Sequence, residues 1–282
     1  MKTSRSTSLL INGAVLALIL IWTIPTVGLF VTSFRDKGDI STSGWWTVFG
    51  GNVGELTLEN YTDVIFGGDG LGTAFLNTIA VSVPAVVIPI LIAAFAAYAF
   101  AWMNFPGRRI LFITVVGLLV VPLQISLIPV LQAYLAIDLN GTFLAVWLAH
   151  AGFGLALATY LLYNYISQLP KEVMESAALD GATHFQTFTR LVLPLSTPAL
   201  ASFAIFQFLW TWNDLLTAQT FLGTDPEVAV LTSRLVGMIG SKGTEWHLLT
   251  AGAFVSMILP VIVFIGLQRY FVRGLLAGSI KG

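Results

Sequence analysis

Long apolar runs alternate with short polar gaps along this chain, and six of the runs are long enough to predict helices that cross a lipid bilayer. They cover approximately Leu9–Val31, Thr73–Ala101, Ile110–Ala133, Thr142–Tyr163, Pro198–Phe221 and Leu248–Tyr270. Each is nearly free of charge, and a helix needs about 20 apolar residues to traverse the hydrocarbon core. The first run follows Lys2 and Arg5, as the apolar part of a secretory signal would. It continues through Pro25 to Phe34, beyond the about 7 to 15 residues of a signal's apolar stretch, and so predicts a retained first span. Pro25, Pro84, Pro89, Pro122, Pro129 and Pro260 lie inside spans, where each removes an intrahelical hydrogen bond that neighbouring helices can compensate. Pro122 and Pro129, beside Gln124 and Gln132, predict a kinked helix that lines a cavity.

Composition makes the membrane the solvent: 56% of the 282 residues are hydrophobic and 10% charged, against about 25% charged in soluble domains. Cysteine is absent, which removes disulfides, thiolate metal sites and cysteine nucleophiles. Six spans put both termini on one side. Lys2, Arg5, Arg108, Arg109, Lys171, Arg190, Arg269, Arg273 and Lys281 share that side; Arg35, Lys37, Arg234 and Lys242 face the other. Basic residues accumulate in cytoplasmic loops, so both termini are expected inside. The outer segments are long, from about Phe34 to Gly72 and from Leu222 to His247, and net acidic. The cytoplasm receives one large segment, 167–198, within a main body at 71–282 that follows a first helix and outer loop at 1–70.

That segment reads as helix, turn, helix. Pro170 suits a first helical position, and Glu172 and Glu175 place negative charge at the positive end of a helix. Gly181 can end this helix in a left-handed conformation. Thr183 with Gln186 makes a capping box for a second helix, on which Phe185, Phe188, Leu191 and Val192 share a face before Pro194 and Pro198 stop it. Ala177, Ala178, Gly181 and Ala182 leave the turn thinly covered, so another protein can approach its backbone. A solvated connector is the plainer alternative. A DNA-reading motif is disfavoured, since Lys171 and Arg190 face Glu172, Glu175 and Asp180.

At these residues the chain resembles a known family. Glu175-Ser-Ala-Ala-Leu-Asp-Gly-Ala182, Phe188 and Leu193-Pro-Leu-Ser-Thr-Pro198 are similar to the EAA loop of ABC-importer permeases, with Ser176 where alanine is usual. Asn77-Thr-Ile-Ala-Val-Ser82, Asn104-Phe-Pro-Gly-Arg-Arg109, Trp212-Asn-Asp214 and the ending from Gln268 to Gly282 resemble the carbohydrate-uptake permeases, specifically the maltose-type second permease. The resemblance covers roughly 200 residues. It implies an all-α membrane protein of six transmembrane helices whose loop helix docks into a separate ATP-hydrolysing subunit through Glu175, Ala177, Asp180 and Gly181. It further implies a homologous second permease, two ATPase subunits, an extracytoplasmic sugar-binding protein and surrounding lipid in the bacterial inner membrane. ATP and Mg would be bound by the ATPase and no cofactor by this chain. Gly237-Met-Ile-Gly-Ser-Lys242 agrees, for it lacks the spacing of a phosphate-cradling loop. In the resembled permease an outer loop reaches into the open binding protein and helps displace its sugar; here that loop is Gly240, Ser241, Lys242, Gly243 and Thr244.

Other polar residues in the spans are candidates for a solute path. Asp214 and Asn213 sit with Trp210 and Trp212, near the outer interface by helix rise, and could form a polar collar at a cavity mouth where indoles stack on sugar rings. Hydrogen bonding at a helix end is the structural alternative. Gln124 joins this set. His150 reads as a helix-packing residue, and no two of His150, His184 and His247 can be placed together, so metal and triad chemistry lack support. An ion-coupled carrier with Asp214 as relay would show inverted repeats and midplane charges, which are missing. An ABC permease for a non-sugar solute is the other alternative, and an embedded enzyme lacks a paired acid and base.

Overall fold

The computed structural model describes residues 5–51, 56–67, 71–223, 225–239 and 245–277, with side chains from 7 to 270. Fourteen helices follow one another among them: α1 (Arg5–Thr32), α2 (Lys37–Thr42), α3 (Glu59–Phe66), α4 (Leu71–Trp102), α5 (Arg108–Gly117), α6 (Leu123–Leu135), α7 (Phe143–Ile166), α8 (Lys171–Leu179), α9 (His184–Thr187), α10 (Leu193–Leu195), α11 (Thr197–Asn213), α12 (Leu216–Leu222), α13 (Leu231–Ile239) and α14 (Trp246–Ala277). The described residues contain no strand beyond a single bridge between Arg35 and Leu56.

Among the described residues, four helices are long and apolar enough to cross a membrane unbroken, within Thr7–Thr32, Leu71–Trp102, Phe143–Ile166 and Trp246–Tyr270. Two more candidates are bent pairs, Arg108–Val120 with Leu123–Leu135 at 104° and His184–Leu195 with Thr197–Asn213 at 72°. The expected third span is thus a broken one. Its break falls at Val121, which is extended (φ −74°, ψ 115°) ahead of Pro122, because the proline ring disfavours helical geometry in the residue before it. Pro129 lies inside α6 without ending it. The fifth expected span, Pro198–Phe221, requires correction: α11 stops at Asn213, two residues intervene, and α12 begins at Leu216. Leu215 and Leu216 keep the hydropathy high across a turn that Asp214 caps.

The chain forms two compact units, Met1–Gly72 with Arg234–Met257 and Thr73–Ser233 with Ile258–Gly282. In the first, α1 is exposed along nearly its whole length except at Gly28, where an added Cβ would come within 2.8 Å of the Trp45 indole nitrogen. Arg35 is its anchor, 1% exposed. The guanidinium donates to the carbonyls of Ser43 and Asp39, both at 3.1 Å, and to the Ser43 hydroxyl. Asn60 closes the fold by donating to the carbonyls of Ser33 and Arg35. Replacing Arg35 by Met should cost about 1.5 to 3 kcal/mol per charged hydrogen bond removed. The expected outcome is rapid protease cleavage between residues 36 and 67 with the spans intact; wild-type resistance would deny Arg35 this role.

The second unit is organised around α7, whose buried Ala145, Ala149, Ala151, Gly154 and Ala158 let neighbouring helices approach closely. The α7 amino end is capped by the Thr142 hydroxyl, which accepts from the Ala145 N–H at 3.3 Å. One apolar cluster joins Ala93, Ala97 and Tyr98 of α4 with Leu162 and Ile166 of α7, Phe188, Val192 and Phe203. A second joins Val81, Ala145, Ala149, Phe221 and Leu222.

Candidate functional site

The hairpin of α8 and α9 is built from local capping. Pro170 occupies the N-cap of α8 (φ −57°, ψ 129°), one position before the expected first helical turn residue. Gly181 follows the helix with φ 74°; the Ala182 N–H donates to the Ala177 carbonyl at 3.0 Å and the Gly181 N–H to the Ala178 carbonyl at 3.1 Å. This pair of bonds is a Schellman stop, which favours glycine at the left-handed position. Thr183 and Gln186 then form the reciprocal capping box that starts α9. Glu175, Asp180 and Gly181 are exposed and Ala177 is buried. Ser176, Ala177, Asp180 and Gly181 border, with Gln186 and Arg190, an open concavity of about 620 Å³.

The base of the hairpin is fastened to the spans. Phe188, 2% exposed, stacks on Phe95 of α4 with centroids 4.2 Å apart and meets Tyr98 at 5.5 Å. The Tyr98 hydroxyl lies 3.0 Å from His184 Nδ1, and Trp102 Nε1 donates to the Ile166 carbonyl at 3.0 Å. Phe188–Val192 form a π-helical turn, so the expected common face of the second helix is split: Phe188 and Val192 are buried, whereas Phe185 is 66% exposed. Leu179 at the tip is 88% exposed. Sequence reading passes over Leu179 because it centres on the small residues around it.

The end of α11 is a second cluster. Asp214 Oδ1 accepts from the Thr217 N–H at 3.2 Å, and Oδ2 lies 3.5 Å from Nε2 of the buried His150. The Trp210 ring meets His150 edge to face at 5.1 Å and 83°. Trp212 is buried against Phe75 and Phe208, while Asn213 is exposed and donates to the Leu209 carbonyl at 2.7 Å. Gln124 is exposed in the first turn of α6. Trp210 and Asp214 therefore converge on His150, and Trp212 belongs to the core. Gln207, missed in the sequence, is 1% exposed and donates to the carbonyls of Ala85 and His150. Asp214→Ala should lower the stability of the folded chain by about 1 to 2 kcal/mol through loss of the cap, and Asp214→Asn should restore most of it. Thermal unfolding in detergent checks this; equal midpoints for Ala and wild type would refute it.

Gly240 to Thr244 lie outside the described residues. Among the described residues no group of three or more His, Asp or Glu could hold a metal ion.

Residues 89–276 match the family described as "Binding-protein-dependent transport system inner membrane component". An osmoprotective compounds uptake permease protein of Synechocystis sp. is 58% identical, covering 99% of this chain and 94% of that one. An alpha-glucoside transport system permease protein of Rhizobium meliloti is 44% identical, covering 96% and 97%. The fold matches that of a bacterial ABC transporter involved in the import of the acidic polysaccharide alginate, with a TM-score of 0.79 over 96% of this chain and 99% of that one at 20% identity. With two thirds of its length inside the family and full-length relatives, this multi-pass membrane chain belongs to the inner membrane components of binding-protein-dependent transport systems.

Proposed function

We propose that this chain is one of two homologous permease subunits of an ATP-driven importer for neutral sugars of the α-glucoside type. The observation that carries the reading is the hairpin: a rigidly capped tip with an exposed leucine, rooted by Phe188 among the spans. An apolar side chain on a charged, water-facing turn is what a partner's pocket needs as an anchor. Glu175, Asp180 and Gly181 border it, and Ala177 holds the turn from inside. The basic residues at the hairpin and termini support a cytoplasmic position for both ends and for the tip. Two ATPase subunits would dock there, bind ATP and Mg, and drive alternating access through the roots of the hairpin.

On the opposite face an extracytoplasmic binding protein would deliver the sugar, with Gly240 to Thr244 aiding its release and Trp210, Asn213, Asp214 and Gln124 near the path. The relative named for α-glucoside transport supports this solute class, of which trehalose and sucrose are neutral members suited to a test. The test is uptake by the complete complex in vesicles. Trehalose or sucrose entry should require both internal ATP and the loaded binding protein. Entry driven by a proton or sodium gradient without ATP would overturn the reading.

A further inference from the structure

A cavity of about 380 Å³ opens beside the break in the third span, within the range of about 300 to 1,000 Å³ usual for small-molecule sites. Its walls include Val121 at the break, Ser126 of α6, Gly152 of α7, and Phe206, Gln207 and Trp210 of α11. We propose that this cavity holds one ring of an uncharged glucoside during transit, with Trp210 as the stacking surface and Gln207 and Ser126 as hydroxyl partners. The proposal rests on the sugar-importer reading above and adds where, in this subunit, the sugar is held.

Four observations carry it. None of the lining residues is ionisable, so a charged solute would enter without compensation at membrane depth, which is costly. The lining pairs aromatic faces with a few fixed polar groups, and a pyranose presents the complementary surface, an apolar C–H face with a rim of hydroxyls. Gln207 is held by its two backbone acceptors, and its Oε1 lies over Gly154, itself on the cavity wall: a Cβ there would come within 2.7 Å of that oxygen. His150 meets the Trp210 ring edge to face and so fixes the indole plane. Lastly, the non-helical backbone at Val121, ahead of Pro122, borders the cavity, and broken helices are tolerated at membrane depth where they line one.

Gly152 supplies the test, since a Cβ added there meets nothing within 4 Å. Gly152→Leu should fill the cavity without disturbing the helix. In vesicles holding the complete complex, the maximal rate of trehalose or sucrose uptake should fall about tenfold for Leu and two- to threefold for Ala, roughly as the volume left to the ligand shrinks. Trp210→Ala should match Leu, and Trp210→Phe should recover part of the loss. Because the chain has no cysteine, Ser126→Cys gives a unique thiol in a complex assembled with cysteine-free partner subunits. Trehalose should slow its labelling by a small polar thiol reagent. Wild-type uptake by the Leu variant, or labelling indifferent to sugar, would overturn the proposal. So would labelling by lipid-soluble reagents alone or cross-linking of that thiol to the sister permease, which would give the cavity to an acyl chain or to that subunit. A wild-type complex that assembles but carries neither sugar would remove the importer reading itself, and this proposal with it.

Discussion

Gly181→Trp is expected to leave the chain inserted and paired with its sister subunit while ATPase copurification and uptake fall to background. Nothing lies within 4 Å of a Cβ at Gly181, so this chain has room for the new side chain, and the clash would fall on whatever docks at the tip. A backbone cost also arises, because φ is 74°, and a residue other than glycine pays about 1 to 2 kcal/mol there. Gly181→Asn separates the two causes. Asparagine tolerates the left-handed region and is small, so it should bind ATPase nearly as well as wild type. Equal loss in both variants would place the defect in the turn and leave no evidence for docking.

Phe188→Ala should produce the opposite dissociation: the ATPase still binds and hydrolyses ATP, but sugar no longer moves. The tip is defined by the Gly181 stop and the Thr183 box, both local, so it survives the substitution. The root does not. Truncating a buried phenylalanine costs about 3 to 5 kcal/mol, and here it removes the stacking on Phe95 and Tyr98 that ties hairpin to span. Sugar transported per ATP hydrolysed is the quantity to measure. A ratio equal to wild type would show that force reaches the spans by another route.

The hairpin was legible in the sequence because its geometry is written within a dozen residues: a proline to start, a glycine to stop, a threonine and glutamine to restart. The unbroken spans were legible for a similar reason, since length and apolarity suffice. The end of α11 was not. Hydropathy averages over Asp214, whose side chain bonds the Thr217 N–H and opens a new helix among leucines. Trp212 illustrates a different loss: an indole beside polar neighbours reads as exposed, and only packing on Phe75 and Phe208 reveals it as core. Phe185 shows the reverse, an apolar residue that periodicity assigns inward and the fold turns outward, and Leu179, 88% exposed at the tip, carries no periodic signal at all. Gln207 gave no signal, because a single amide within an apolar run says nothing of the carbonyls it will meet across two other helices.

The π-helical turn ahead of Pro194 has a consequence for how such chains can change length. A proline ring collides with the carbonyl four residues earlier in a regular helix; the wider turn at Phe188–Val192 carries the Leu193 N–H to the Phe188 carbonyl instead and relieves that collision with one surplus residue. An α-helix advances by about 100° per residue, at 3.6 residues per turn. Deleting Thr189 would therefore swing everything before it through more than a quarter of a revolution, pointing Leu179 away from its present azimuth without altering a single residue of the tip. Insertions and deletions between His184 and Leu195 are, by this geometry, changes of aim, and a subunit that keeps its docking residues but loses the phase would present them to the wrong neighbour.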